Sequence, residues 1–282
     1  MLTQISAGPY TIRGVSVGGV YTSLHVPELG ALFDAGIAAR SMATAPNFFL
    51  SHGHADHIGA LPTILGIRGL NRLPAPRVFV PRALAEPLKG ALGALSTLQR
   101  YDLSMDLVEV EAGQKFKLRA DLEVRVFRTH HTVPSVGYQF IQPVKKLKPE
   151  YLDLPGAEIA KRRIRGDDLF EHHERLEFAY ATDTLLRVID THQSLLDTRV
   201  LLLECSFIDE RKSLEDSRAG CHIHLDELLE RASDFNNEHI VLMHFSQIAS
   251  PDEVRATLAK RCPKDFYRRL RLFIPPSGPW PG

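Results

Sequence analysis

Phe48-Phe-Leu-Ser-His52-Gly-His54-Ala-Asp56-His57-Ile-Gly-Ala-Leu-Pro62 is the stretch on which the reading of this chain turns. An apolar run enters a turn that carries three histidines and an aspartate, and a second apolar run leaves it. The first run has the length and bulk of a buried strand. The second, with Ile58, Leu61, Ile64 and Leu65 on one side, has helical spacing in spite of Pro62. Such a turn brings the side chains of His52, His54, Asp56 and His57 into one small volume, and neutral imidazoles with carboxylates are a ligand set for zinc and similar divalent metals. Shuffling this composition would produce the four-residue pattern about once in 600 chains, so a merely solvated histidine-rich turn is the weaker explanation.

Outward from that turn, strand and helix signals alternate. Strands are predicted at 10–17, 20–26, 30–34, 47–51, 178–182, 200–204, 240–244 and 270–274. At 122–127, Leu122, Val124 and Val126 alternate with Glu123 and Arg125, the period of a half-buried strand. Helices are predicted at 57–67, at 83–99 (Leu84, Leu88, Leu92 and Leu95) and at 225–235. This alternation implies an α/β or layered architecture. No internal repeat is visible. Residues 142–170, polar and rich in Lys, Arg, Pro and Gly, read as a basic insertion within one domain spanning 1–282.

Composition narrows the classes further. The 282 residues are 44% hydrophobic and 24% charged, with a formal net charge of zero. Any case for nucleic acid or membrane must therefore be local. No apolar stretch approaches a membrane span, and residues 1–7 lack a basic region followed by an apolar run, so neither a span nor a signal peptide is expected. Cys205, Cys221 and Cys262 are too few and scattered for a disulfide framework or a cysteine zinc site. A reducing, cytoplasmic setting is expected.

The His-x-His-x-Asp-His turn resembles the metallo-β-lactamase superfamily, in which a further His, an Asp and a last His follow. The resemblance implies an αββα four-layer sandwich, two mixed sheets with helices on the outer faces, over about residues 10–275. It points to His131 in Thr129-His-His131-Thr-Val-Pro, Asp183 in Tyr180-Ala-Thr-Asp183 and His244 in Ile240-Val-Leu-Met-His244, all at strand ends. It also implies a division of labour. His52, His54 and His131 would hold one divalent ion, Asp56, His57 and His244 a second, and Asp183 would bridge them. Zinc is the first expectation, with manganese or iron as alternatives. Two such ions about 3.5–4 Å apart stabilise attacking and leaving oxygens and bring the pKa of water near 7. His130 is the rival to His131, since neighbours on a strand face opposite ways. His25, His172, His173, His192 and His239 lack comparable context and read as surface or structural.

Within the superfamily, His131-Thr-Val-Pro-Ser-Val-Gly-Tyr138, Tyr180-Ala-Thr-Asp-Thr184, Leu202-Leu-Glu204-Cys-Ser-Phe207 and Leu242-Met-His244-Phe-Ser246 are similar to ribonuclease Z, which trims the 3′ end of precursor tRNA. By that resemblance Gly220-Cys-His222-Ile-His224 would supply a general acid, His222 first and His224 second, for the leaving 3′-oxygen. Capping of the following helix is the structural alternative for both. Glu204 would orient that histidine, Asp56 would orient or deprotonate the attacking water, and Asp34 in Phe33-Asp-Ala-Gly36 would stand behind the metals. The chain departs from the family at Val15-Ser-Val-Gly-Gly, in place of a Leu-Gly-Thr-Gly type opening, at Gly-Cys-His-Ile-His, and in a shortened arm between His131 and Asp183.

That arm holds seven basic residues against three acidic ones over 141–165. Lys145, Lys146, Lys148, Arg162, Arg163 and Arg165 are the candidate contacts to RNA phosphates. A homodimer, as in the family, would let one subunit's arm serve the other's site. Two readings compete with RNA cleavage: hydrolysis of a cyclic nucleotide, ester or lactone at the same site, favoured by the short arm, and a non-enzymatic binding protein.

Overall fold

Strand order follows chain order throughout the computed structural model, which describes residues 2–281. The first sheet runs β1 (Thr3–Ala7), β2 (Tyr10–Val17), β3 (Tyr21–Val26), β4 (Ala31–Phe33), β5 (Asn47–Phe49), β6 (Arg77–Pro81) and β7 (Asp106–Val110). The second runs β8 (Lys115–Arg119), β9 (Leu122–Arg128), β10 (Val136–Leu147), β11 (Phe170–Ala181), β12 (Val200–Glu204), β13 (His239–Met243) and β14 (Leu270–Leu272). In each sheet the first four strands pair antiparallel and the last three continue in parallel. The topology thus repeats although the sequence shows no repeat, because many apolar sequences satisfy the same burial pattern.

Parallel pairing demands crossovers, and these supply the outer layers. Helices α1 (Ala55–Ile58), α2 (Leu61–Leu70) and α3 (Arg82–Gln99) serve the first sheet. The second sheet is served by α5 (Val188–Thr191), α6 (Leu214–Ala219), α7 (Leu225–Glu230), α8 (Pro251–Arg261) and α9 (Lys264–Arg269), with α4 (Gly156–Arg165) set apart between β10 and β11. Three cores result. Phe48 and Leu50 face the helices over the first sheet, whereas Phe49, one residue along, faces the second sheet, as strand alternation requires. Leu201 and Leu203 pack under α7 and α8 on the far side. The inter-sheet seam is aromatic: Phe33 lies 4.8 Å from Tyr180 and Phe49 lies 5.0 Å from Tyr138, ring centre to ring centre. This is the expected αββα sandwich.

Two local expectations need correction. The helix predicted at 57–67 is two helices broken at Gly59-Ala60, with Pro62 in the first turn of α2, where its missing N–H is no loss. Residues 142–170 are not an irregular excursion. β10 and β11 continue as a two-stranded ribbon as far as the Leu147–Phe170 pair, and its tip carries a turn at Pro149–Tyr151 and then α4. No residue of α4 is buried, which accounts for the polar composition. No helix among the described residues is long and apolar enough to cross a membrane.

Candidate metal centre

The quoted turn leaves β5 and enters α1 with His54 at the helix N-cap. His52 Nε2 and His131 Nε2 lie 3.1 and 3.2 Å from His54 Nδ1, so three imidazole nitrogens converge on one point. His57 Nε2 and His244 Nε2 lie 3.3 Å apart, and Asp56 Oδ2 is 3.5 Å from His57 Nε2. Asp183 stands between the two sets. Its Oδ1 is 3.3 Å from His57 and 3.2 Å from His244, and its Oδ2 is 3.6 Å from His52 and 3.7 Å from His131. The ligand atoms of His52, His54, His131 and Asp183 all lie within 4.8 Å of one another, as do those of Asp56, His57 and His244.

Strand ends make this convergence feasible. Asp34, Asp183 and His244 each follow the last residues of a central strand and adopt φ of 54°, 46° and 60°. The left-handed region is unfavourable for such residues by roughly 1 kcal/mol or more each, a strain that dense packing can sustain at a functional site. The turns are locked from behind. His244 N–H donates to Ser16 Oγ at 3.1 Å, and a Cβ on Gly36 would lie 1.8 Å from the Asp56 carbonyl oxygen, so only glycine lets β4's exit pack on α1.

The outer nitrogens are also held. Asp34, fully buried, accepts from Ser51 N–H, Ser51 Oγ, His57 Nδ1 and Tyr180 Oη at 2.6–2.7 Å. His244 Nδ1 lies 3.1 Å from Ser206 Oγ, which donates to Glu204. Each outer partner fixes a ring so that its inner nitrogen faces the nest. Ser16, Ser51, Tyr180 and Ser206 were not singled out from sequence. All four sit in quoted motifs, but their chemistry is too ordinary to signal alone.

The charge pattern fits a divalent cation. Burial pushes His52 down to about 2, with the neighbouring imidazolium of His57 adding to it. At His57 burial pulls the same way, but the Asp183 and Asp34 carboxylates outweigh it and lift the group to about 9. Burial opposes ionisation of Asp183, yet the His244 and His57 imidazoles hold it well below the usual carboxylate range. Carboxylates crowded among imidazole nitrogens call for positive charge.

His222 joins the nest. Its ring centre is 5.4 Å from His131 and 5.5 Å from His244, and Nδ1 is 3.1 Å from Glu204 Oε1. Burial would depress it, but Glu204 lifts it to about 9. Glu204 is fully buried and also accepts from Thr184 N–H and Ser206 Oγ, both at 2.6 Å. His224 is a correction. Its Nδ1 accepts from Asp226 N–H and its Nε2 donates to the Asp209 carbonyl, each at 3.1 Å. Nδ1 caps α7 and Nε2 is tied to the loop at Asp209, so both nitrogens of His224 are engaged away from the nest. His130 turns away, its Nε2 3.2 Å from Thr191 Oγ1.

The structure does not bring the basic arm to this nest. Lys145, Lys146 and Lys148 lie at the ribbon's outer end and Arg162, Arg163 and Arg165 on α4. Nine residues of extended chain separate Val136, beside the nest, from Lys145, roughly 30 Å. Lys148 pairs with Asp168 at 2.8 Å, and Arg162 covers the Tyr151 ring at 5.5 Å.

Asp34→Asn should weaken metal binding 10–100-fold, because an amide nitrogen would meet donors where a carboxylate oxygen now accepts. Chelator competition measures this, and unchanged affinity would refute the supporting role.

A sequence model described as the beta-lactamase superfamily domain matches residues 38–245. Two Arabidopsis thaliana proteins are each 34% identical: tRNase Z TRZ1, over 84% of this chain and 85% of that protein, and the chloroplastic tRNase Z TRZ2, over 89% and 72%. The crystal structure of human tRNase Z, short form, shares the fold with a TM-score of 0.57 at 16% identity, covering 83% of this chain and 92% of that one. The chain belongs to the metallo-β-lactamase superfamily and, within it, to the tRNase Z family.

Proposed function

We propose that this protein is a metal-dependent phosphodiesterase that cleaves RNA, removing the 3′ trailer of precursor tRNA. The observation that carries the reading is Asp183, whose two oxygens face two separate ligand sets beside the Glu204-held imidazole of His222. His52, His54 and His131 would hold one ion and Asp56, His57 and His244 the other, with Asp183 serving both. The nitrogen and oxygen donors suit zinc. Two such ions supply an activated water at neutral pH and neutralise charge building on the phosphate oxygens.

The chain's own groups do the rest. Asp56, the more exposed of the two cluster carboxylates, orients the attacking water and accepts its proton. His222, with Nδ1 turned to Glu204, donates the proton on Nε2 to the leaving 3′-oxygen. Glu204 keeps that imidazole charged. Since the ribbon reaches away from its own site, the arm's basic residues would grip RNA bound to a second copy in a homodimer. The three cysteines are unpaired, which suits a cytoplasmic setting.

The test is a metal-loaded sample, its zinc measured by elemental analysis and its mass by light scattering, given bis(p-nitrophenyl) phosphate and a precursor tRNA with a 3′ trailer. Trailer removal that His54→Ala abolishes is the expected result. Cleavage of the small diester alone would move the assignment to a small phosphodiester, the reading favoured by the arm's distance from its own nest. Cleavage of neither would end the phosphodiesterase reading.

A further inference from the structure

A groove of about 750 Å³ opens beside the nest, sharing His131 with it and reaching Cys221, the residue before His222. Its charged lining is uneven. Arg82 is paired with Glu109 and Glu111 on the groove's rim. Arg128, at the end of β9, and Arg187, just before α5, line the same groove, and neither makes an ion pair among the described residues. Both are exposed.

Arg187 is nevertheless not loose. Its Nη2 donates to His130 Nδ1 at 3.0 Å. A guanidinium has only donors, so Nδ1 accepts, and Nε2 is left to donate to Thr191 Oγ1. His130 is itself pinned through its backbone: its N–H donates to Thr184 Oγ1 at 2.9 Å, and its carbonyl accepts from Leu185 N–H at 3.1 Å. These bonds cross-tie the loop of His131 to the loop of Asp183. A guanidinium hung on that cross-tie keeps a fixed place relative to both candidate metal ligands, with its remaining N–H groups free for a groove occupant.

We propose that Arg187, with Arg128 on the same groove, is a binding site for a backbone phosphate of the RNA next to the scissile one, and that His130 is its positioning residue. A planar fork of donors matches a phosphodiester's two free oxygens, and a solvated groove lets the chain continue in either direction. The site therefore favours a polynucleotide, which carries a neighbouring phosphate, over an isolated diester. The inference rests on the RNA reading above, but its test can be separated from it.

The separating measurement is binding rather than turnover. A fluorescent phosphorothioate RNA oligonucleotide is titrated onto the metal-loaded full chain at several salt concentrations. For Arg187→Ala the expected result is roughly tenfold weaker binding and a salt slope shallower by about 0.7, the loss of one phosphate contact on a single strand. His130→Ala should give a smaller loss of the same kind, and the double variant should be no worse than Arg187→Ala, since His130 acts through the arginine. Arg187→Lys should recover part of the affinity and the slope. Arg268→Ala, on exposed α9, is the control for general charge loss. Unchanged slope and affinity in Arg187→Ala, or additive losses in the double variant, would overturn the proposal. Failure of the wild type to cut RNA would count against the function reading only. Where RNA is cut, Arg187→Ala should lower kcat/KM for RNA at least tenfold more than for bis(p-nitrophenyl) phosphate.

Discussion

Asp183→Ala is expected to give a folded protein that holds fewer than two metal ions per chain and hydrolyses both RNA and bis(p-nitrophenyl) phosphate at least roughly 10³-fold more slowly, beyond the loss typical of one electrostatic contact. The reasoning is geometric. Each of the other six candidate ligands faces one set, whereas the Asp183 oxygens divide between His57 with His244 and His52 with His131. Its removal takes negative charge from both sets at once and leaves their imidazoles to repel any pair of cations. Asp183→Asn keeps the volume and one good acceptor, so it should retain more metal than the alanine variant while still losing most of its rate. Elemental analysis gives the stoichiometry, and circular dichroism shows whether the fold survives. Full metal content with full activity in Asp183→Ala would remove the shared-ligand assignment.

The second large effect depends on the leaving group. His222→Ala should slow trailer removal by about 10²–10⁴-fold, the range for loss of a positioned general acid. The 3′-oxygen of a ribose is a poor leaving group and needs its proton. A p-nitrophenolate leaves without one, so the small diester should suffer far less. Equal losses on both substrates would mean that His222 binds metal or substrate instead, a real alternative because its ring lies near His131 and His244. His224→Ala gives the contrast. It should lower stability by about 1 kcal/mol, the usual worth of a helix cap, and leave the ratio of the two activities alone.

The parts legible in the sequence were those that concentrate information. The turn from His52 to His57 is dense with one chemistry, and the strand ends at His131, Asp183 and His244 become readable once the superfamily order is in mind. Strands such as β9 and the long helix α3 announce themselves by period. β6 and the inner half of β10, Val136–Ile141, were missed because they are buried on both faces and carry no alternation, and β1, β7 and β8 because each is only five residues long, too short for a period to stand out even in the alternating Lys115–Arg119. α8 and α9 were missed because charged residues crowd them and their apolar stripe is thin. The ribbon was hidden for the opposite reason: two strands open to solvent on both sides need no apolar residues. The residues behind the candidate ligands, Ser16, Ser51, Tyr180 and Ser206, act through hydrogen bonds whose decisive partners, such as Asp34 and His244, lie far off in sequence, which no local pattern records.

The repeated topology bears on how the molecule holds together. Residues 3–110 fill one sheet and residues 115–272 the other. His52, His54, Asp56 and His57 come from the first half, and His131, Asp183 and His244 from the second. Ions seated among them would act as rivets across the join. A ligand that binds only the closed form at a thousandfold excess over its Kd adds about 4 kcal/mol to closure. Trace-metal supply would then set how firmly the halves stay shut, and starvation would loosen the molecule along that seam first.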